Sequence, residues 1–355
     1  MENMEIDAGF WKGRSVFLTG HTGFKGGWLA LWLSEMGANV HGYSLEAPTQ
    51  PNFFSVINLS NLIQSSTIGD IRDLSKLKES VKAARPSVIF HMAAQPLVRQ
   101  SYIDPIETFT TNILGTINVF EATKNSETVK AIINITTDKC YENKENNKSF
   151  EETDPLGGYD PYSSSKACSE IITSAYRNSF FSKMKKKLAS VRAGNVIGGG
   201  DWAKDRLVPD FFRSIDRNKI LHIRSPQAVR PWQHVLDPLS GYLMLAEKLF
   251  EHGDIYAEPW NFGPEQSEAK TVSWVLNCLS EKFTNANWEE EKKEQPYEAN
   301  LLKLDISKAK SRLGWAPRWS VETAIDNTIS WYQAFKENKD MIEFSVKQIK
   351  SFQAL

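Results

Sequence analysis

The strongest constraint on this chain is an alternation, over its first 194 residues, of short apolar runs with longer helical patterns. Residues Ser15–Thr19, Asn39–Ser44, Gln64–Gly69, Ser87–Met92, Val129–Thr136 and Leu188–Ala193 read as strands, the first of them buried. Between them, Gly26–Met36, Leu74–Ala84, Pro105–Thr123 and Tyr162–Phe181 carry apolar residues at helical spacing. Strands that alternate with helices in this way predict an α/β fold, a Rossmann-type doubly wound parallel sheet. Beyond Asn195 the pattern loosens into loops rich in Gly, Pro, Arg and Trp, with a helix near Leu236–Phe250 and two later ones. The expected organisation is a nucleotide-binding sheet domain over 1–194. Residues 195–355 then form mainly a smaller substrate lobe over the sheet's C-terminal edge, with some segments returning to the sheet.

Charge and composition remove several function classes. Lys and Arg total 42 against 43 for Asp and Glu, without the basic excess that a nucleic-acid binder shows. No run of residues approaches the apolar length that a membrane span needs. Cys140, Cys168 and Cys278 are odd in number and far apart, which argues against a disulfide framework and for a reducing, cytoplasmic setting. No His pair has helical ligand spacing, so no metal site is expected. The lysine-rich run 183–187 and the mixed run 289–294 read as solvated surface. Eleven Trp exceed ordinary usage, and composition alone does not divide them between core and site.

The turn after the first strand is TGHTGFKG, with Gly20, Gly23 and Gly26 at three-residue spacing as the first helix begins. Glycines there let the backbone approach a pyrophosphate, whose charge the helix N-terminus stabilises. The second strand ends HGYSLEAP, so Ser44 stands where an acid usually holds the ribose, and no Arg is near to accept a 2′-phosphate. That favours NAD over NADP. Tyr162 and Lys166 form YSSSK and share one helix face. A tyrosine serves as a base near neutrality only if a cation stabilises its phenolate, and Lys166 is placed to do so.

The glycine spacing, with Tyr162 and Lys166 after strand five, resembles the extended short-chain dehydrogenase/reductase superfamily. The resemblance implies that Gly20, Thr22, Gly23, Phe24, Gly26, Ser44, Asp70, Ile71, Ala93, Ala94, Tyr162 and Lys166 contact NAD. It also implies that Thr137, in TTDKCY, binds a sugar hydroxyl beside Tyr162, and that Gln95 faces the substrate. Asp138 fills the place at which nucleotide-sugar 4,6-dehydratases keep an acid and C4 epimerases generally do not. The next residue, Lys139, replaces the Glu of dTDP-glucose dehydratases, and this resembles the CDP-glucose 4,6-dehydratase family. RAGNVIGGGDW (192–202) and IRSPQAVRPWQHVLDPLSGYL (223–243) resemble the same family.

The implied reaction belongs to deoxysugar biosynthesis and converts CDP-glucose to CDP-4-keto-6-deoxyglucose and water. Asp138 would protonate the leaving C6 hydroxyl; Lys139 would either handle the C5 proton or stabilise the enolate. Arg206, Arg230 and Asn195 are the candidates to hold the nucleoside diphosphate, since Arg suits pyrophosphate geometry. The resemblance further implies a homodimer or homotetramer joined through the helices that begin near Pro105 and Tyr162. Two other readings compete: a C4 epimerase on the same fold, against which Asp138 and Lys139 speak, and a non-catalytic dinucleotide sensor, which would have no need of Tyr162 and Lys166.

Overall fold

The computed structural model describes residues 5–145, 148–283, 286–291, 297 and 299–355. Six strands form where the apolar runs predict them: β1 (Ser15–Thr19), β2 (Asn39–Ser44), β3 (Ser65–Ile68), β4 (Val88–His91), β5 (Ala131–Ile135) and β6 (Lys187–Ala193). A seventh, β7 (Pro259–Phe262), comes from the second half of the chain and pairs with β6. The sheet is parallel throughout, in the order β7-β6-β5-β4-β1-β2-β3. Strand order reverses between β1 and β4, and a crevice opens at their C-terminal ends, where ligands of such sheets bind.

Helix α1 (Phe24–Glu35) follows β1 and α2 (Leu74–Ala84) follows β3. Next, Pro105–Phe109, a π-helical turn Thr110–Leu114 and Gly115–Lys124 run on as one element, α3. Helix α4 (Pro161–Ser179) is capped by Asp160, whose Oδ1 accepts from the Ser163 amide at 2.9 Å. Pro161 at the first helical position suits this start, because its missing N–H would have had no partner there. Helix α5 (Leu236–His252) packs against β5 and β6, so the chain returns to the sheet before β7. Helices α6 (Val321–Lys336) and α7 (Met341–Gln353) close the second lobe, with α7 against α1.

Aromatic packing joins lobe to sheet. Trp28 on α1 stacks on Phe53 at 4.8 Å between ring centres, and its indole N–H donates to the Gly199 carbonyl at 2.9 Å. Trp202 packs on Trp331, Tyr332 and Phe335, while buried Trp232 donates to the Lys270 carbonyl at 3.1 Å. Both therefore build the lobe's core. Trp260 lies on β7, within the central sheet.

The lysine run is exposed over residues 183–185, as expected, but Lys186 departs from that place in solvent. Lys186 is buried, because its ammonium donates at 2.8 Å to the carbonyl of Lys124 at the C-terminus of α3. In the second run, residues 289–290 belong to a strand, Trp288–Glu290, beside Leu221–Ile223, while residues 292–294 lie outside the described residues.

Candidate active site

The glycine turn is folded so tightly that only glycine fits at two of its positions. Gly20 has φ of +83°, and a Cβ there would meet the Ala93 amide nitrogen at 2.8 Å, so β1 and the end of β4 come into near contact. At Gly26 a Cβ would meet the Gly20 carbonyl oxygen at 2.1 Å. Gly23 caps α1 with no side-chain hydrogen bond, leaving the first-turn N–H groups to a ligand. This cradle fits the pyrophosphate of a dinucleotide. Thr22 closes one side, with its hydroxyl 2.8 Å from that of Ser44 and donating to the Leu45 carbonyl. Phe24 reaches toward Gly198 of the second lobe.

The remaining expected cofactor contacts are uneven. Ala93 and Ala94 are part-exposed at the mouth of the crevice, and the Ala93 amide donates to Thr19. Asp70 is held in a bidentate pair with Arg72, which keeps its carboxyl below the ordinary range. Ile71 is turned into the core against Gly115. Gln95 uses its side chain internally: the amide nitrogen donates to Leu97 and Thr108, and the oxygen accepts from the Leu97 amide. It braces the loop after β4.

The catalytic candidates converge. Thr137 and Asp138 follow β5, and Tyr162 and Lys166 project from the first two turns of α4; all four are buried. Thr137 Oγ1 donates to Asp138 Oδ1 at 3.0 Å and accepts from the Lys139 amide at 3.4 Å. Burial pushes Tyr162 up to about 12; the Thr137 hydroxyl and the Arg206 guanidinium pull against it. Sequence reasoning gave that electrostatic role to Lys166 and placed Arg206 at the nucleoside diphosphate instead. The Lys166 ammonium donates to the Ile135 carbonyl at 3.2 Å, and burial lowers it to about 8.

Burial also raises the Asp138 carboxyl, against the opposing effects of Lys139, Thr137 and Arg230. A raised carboxyl holds its proton and can act as an acid. Asp138 Oδ2 has no hydrogen-bond partner among the described residues. Gly194, after β6, lets the chain pass close to it: a Cβ there would lie 3.0 Å from Oδ2 and 2.3 Å from Pro231.

Lys139 lines a cleft of about 450 Å³ together with Tyr141, Glu142, Tyr159, Ser163 and Tyr297. Arg206 is paired with Asp201 at 2.8 Å and reaches Tyr162 electrostatically, whereas buried Arg230 acts on Asp138. The two arginines thus flank the two proton-transfer groups. Asn195 is half-buried, and its carbonyl accepts from the Gln233 amide at 3.0 Å.

Two further groups were not legible from motif spacing. Lys25, an unspecified position of the glycine motif, extends to Tyr242 on α5, 3.3 Å from its hydroxyl. Burial lowers Lys25 to about 7, and Arg206 and Lys166 push it the same way while Asp138 opposes them. A lysine in the first turn of a helix opposes the helix dipole, and that was the available signal. Glu170, one turn beyond Lys166, accepts from Thr136, Ser190 and Arg192, the last in a buried ion pair at 2.9 Å.

A phosphate cradle at the switch point of a parallel sheet, with tyrosine, lysine and threonine beside it, defines an extended short-chain dehydrogenase/reductase acting on nucleotide sugars. The family described as GDP-mannose 4,6 dehydratase matches residues 17–328, and the chain belongs to it. It is 50% identical over 353 residues to CDP-glucose 4,6-dehydratase of Salmonella typhimurium, covering 98% of each chain. Identity to the dTDP-D-glucose 4,6-dehydratase of Homo sapiens is 25% over 341 residues, 93% of each. Among solved structures, an epimerase of Methanothermobacter thermautotrophicus shares the fold, with TM-score 0.80 and 22% identity over 93% of this chain and 95% of that one. The UDP-glucose 4-epimerase of Thermotoga maritima gives TM-score 0.76 at 24% identity, over 90% and 99%.

Proposed function

We propose that the chain is a CDP-D-glucose 4,6-dehydratase, an NAD-dependent hydro-lyase that forms CDP-4-keto-6-deoxyglucose and water. The observation that carries this reading is a buried acid, Asp138, hydrogen-bonded by Thr137 and close enough to the buried base Tyr162 to act on it electrostatically. It is supported by half-identity to a CDP-glucose 4,6-dehydratase along nearly the whole chain. An epimerase needs no acid at C6, so the same-fold alternative leaves Asp138 unused.

The turn of Gly20, Gly23 and Gly26, with Ser44 beside it, would hold NAD, which when bound would supply the hydride chemistry between C4 and C6. Tyr162, as phenolate, removes the O4 proton, with Lys166 and Arg206 supplying positive charge and Thr137 steadying the hydroxyl. The ketone acidifies C5, whose proton passes to a base; Lys139, in the cleft, is placed to take it. Asp138 gives its proton to the C6 oxygen, which leaves as water. Arg206, Arg230 and Asn195 hold the nucleoside diphosphate in the second lobe, 195–355.

The chain acts as a homodimer or homotetramer. Ile103, Ile106, Phe109 and Leu114 are exposed on or just before α3, and Ile171 is exposed on the adjacent α4. Such a patch marks an interface. Free cysteines fit a reducing, cytoplasmic compartment.

The test is incubation of purified protein with CDP-, UDP- or dTDP-glucose and a small amount of NAD, followed by the alkaline absorbance of a 4-keto sugar. Turnover with CDP-glucose is expected, with loss in Asp138→Asn. Full activity of that variant refutes the acid role, and a product that keeps its C6 oxygen refutes the dehydratase.

A further inference from the structure

Asp138 and Lys139 share one short turn, Asp138–Cys140, whereas Tyr162 and Lys166 stand on helix α4. On the dehydratase reading above, the turn serves the loss of water and the helix serves the oxidation at C4. Both act on one sugar ring, so the spacing of turn and helix decides whether the second step can follow the first.

The residues that flank the turn both end on a single ion pair. On the near side, the Thr136 hydroxyl donates to Glu170 Oε1. On the far side, the Tyr141 hydroxyl accepts from Arg192 Nη1 at 2.8 Å. Glu170 and Arg192 are themselves paired at 2.9 Å, and all four side chains are buried. Glu170 follows Tyr162 and Lys166 at four-residue steps, which puts the three along one side of α4. The acid-bearing turn is thereby fastened at both ends to the helix that carries the base.

We propose that Tyr141 is a positioning residue of the dehydratase reaction, holding the turn of Asp138 and Lys139 against Tyr162 and Lys166 through the Arg192–Glu170 pair. Its hydroxyl is not a further acid or base. The Asn261 side chain on β7 donates through Nδ2 to the carbonyls of Phe150 at 2.8 Å and Asp305 at 3.1 Å, which leaves its Oδ1 as an acceptor. Tyr141 donates to that oxygen at 2.6 Å while accepting from Arg192, which can only donate. Burial holds the phenol well above its ordinary value, so it keeps this proton. The ring is placed separately, stacked on Phe150 at 4.7 Å and 5° and lying under the Arg192 guanidinium. Removing the hydroxyl alone therefore loosens the turn and leaves the ring where it is.

The test mixes holoenzyme with CDP-glucose and follows two signals: the near-ultraviolet absorbance of NADH, and the loss of water from the sugar by mass spectrometry. Tyr141→Phe is expected to form NADH within about threefold of the wild-type rate but to lose water about tenfold more slowly, so that NADH persists. KM for CDP-glucose should stay within about threefold of wild type. Thr136→Val loosens the other end of the turn at constant side-chain shape and should give the same split, which keeps the test open if Tyr141→Phe folds poorly. Equal slowing of both steps would make Tyr141 a support of the fold alone, and unchanged kinetics would mean that the turn keeps its place without these bonds; either result overturns the proposal. A wild-type protein that forms no NADH and removes no water from CDP-glucose is a separate outcome, which removes the dehydratase reading and the positioning role together.

Discussion

The Lys25 ammonium lies 3.3 Å from the Tyr242 hydroxyl, tying the first turn of α1 to α5 across the catalytic cleft. Lys25 and Lys166 repel each other there, and both are lowered by burial, to about 7 and about 8. A lysine is charged below its pKa, so support for the Tyr162 phenolate fades as pH rises through about 8. We expect kcat/KM to fall on that alkaline limb. Lys25 is already mostly neutral where Lys166 titrates, so Lys25→Met should leave the limb in place at saturating NAD. An upward shift of the limb would mean that Lys25 still carries its charge there.

Glu170→Gln leaves Arg192 charged and buried without its carboxylate. Breaking such a pair costs about 3–5 kcal/mol, so the midpoint in urea or heat should fall substantially. Because Glu170 also raises Lys166, the alkaline limb in the surviving folded fraction should shift to lower pH.

Stability itself should depend on pH through Glu247. Its carboxylate accepts from the Trp11 indole at 2.6 Å, and burial raises it from 4.5 to about 7. The folded state therefore holds a proton that the unfolded chain has released. The contribution is full below pH 4.5 and is lost as pH rises through about 7, a change of about 3 kcal/mol. Denaturant titrations of Glu247→Gln between pH 5 and 8 should show a flatter profile than wild type.

The exposed side chains of Ile103 and Ile106 predict that a charge in this patch separates the subunits. Ile106→Glu should sediment as a monomer with an unchanged far-ultraviolet spectrum. An unchanged mass would place the interface elsewhere.

Much of this was legible in sequence where one local rule decides the outcome. Strands β1, β4 and β5 are short apolar runs, and Tyr162 and Lys166 are fixed by helix periodicity and the Asp160 cap. Strand β7 was not, because Pro-Trp-Asn-Phe is short, opens on a proline and has no alternation. Gln95 shows the limit of carrying a residue over by motif: the position is right, but its amide is spent on Leu97 and Thr108. The effect of Arg206 on Tyr162, and Lys25 altogether, escaped because these interactions join elements distant in sequence. Trp202 and Trp232 flank arginines in sequence, yet both indoles face the lobe's own core, a distinction that only packing makes.

The late arrival of β7 matters for synthesis as well as shape. During translation, β6 leaves the ribosome long before Pro259–Phe262, and until then its outer edge has no strand beside it. An uncovered parallel edge is a template for pairing with another nascent chain. Production of this enzyme should therefore be most sensitive to crowding and to chaperone supply in the interval between those two strands. Ribosome stalling within it should favour aggregates over soluble fragments.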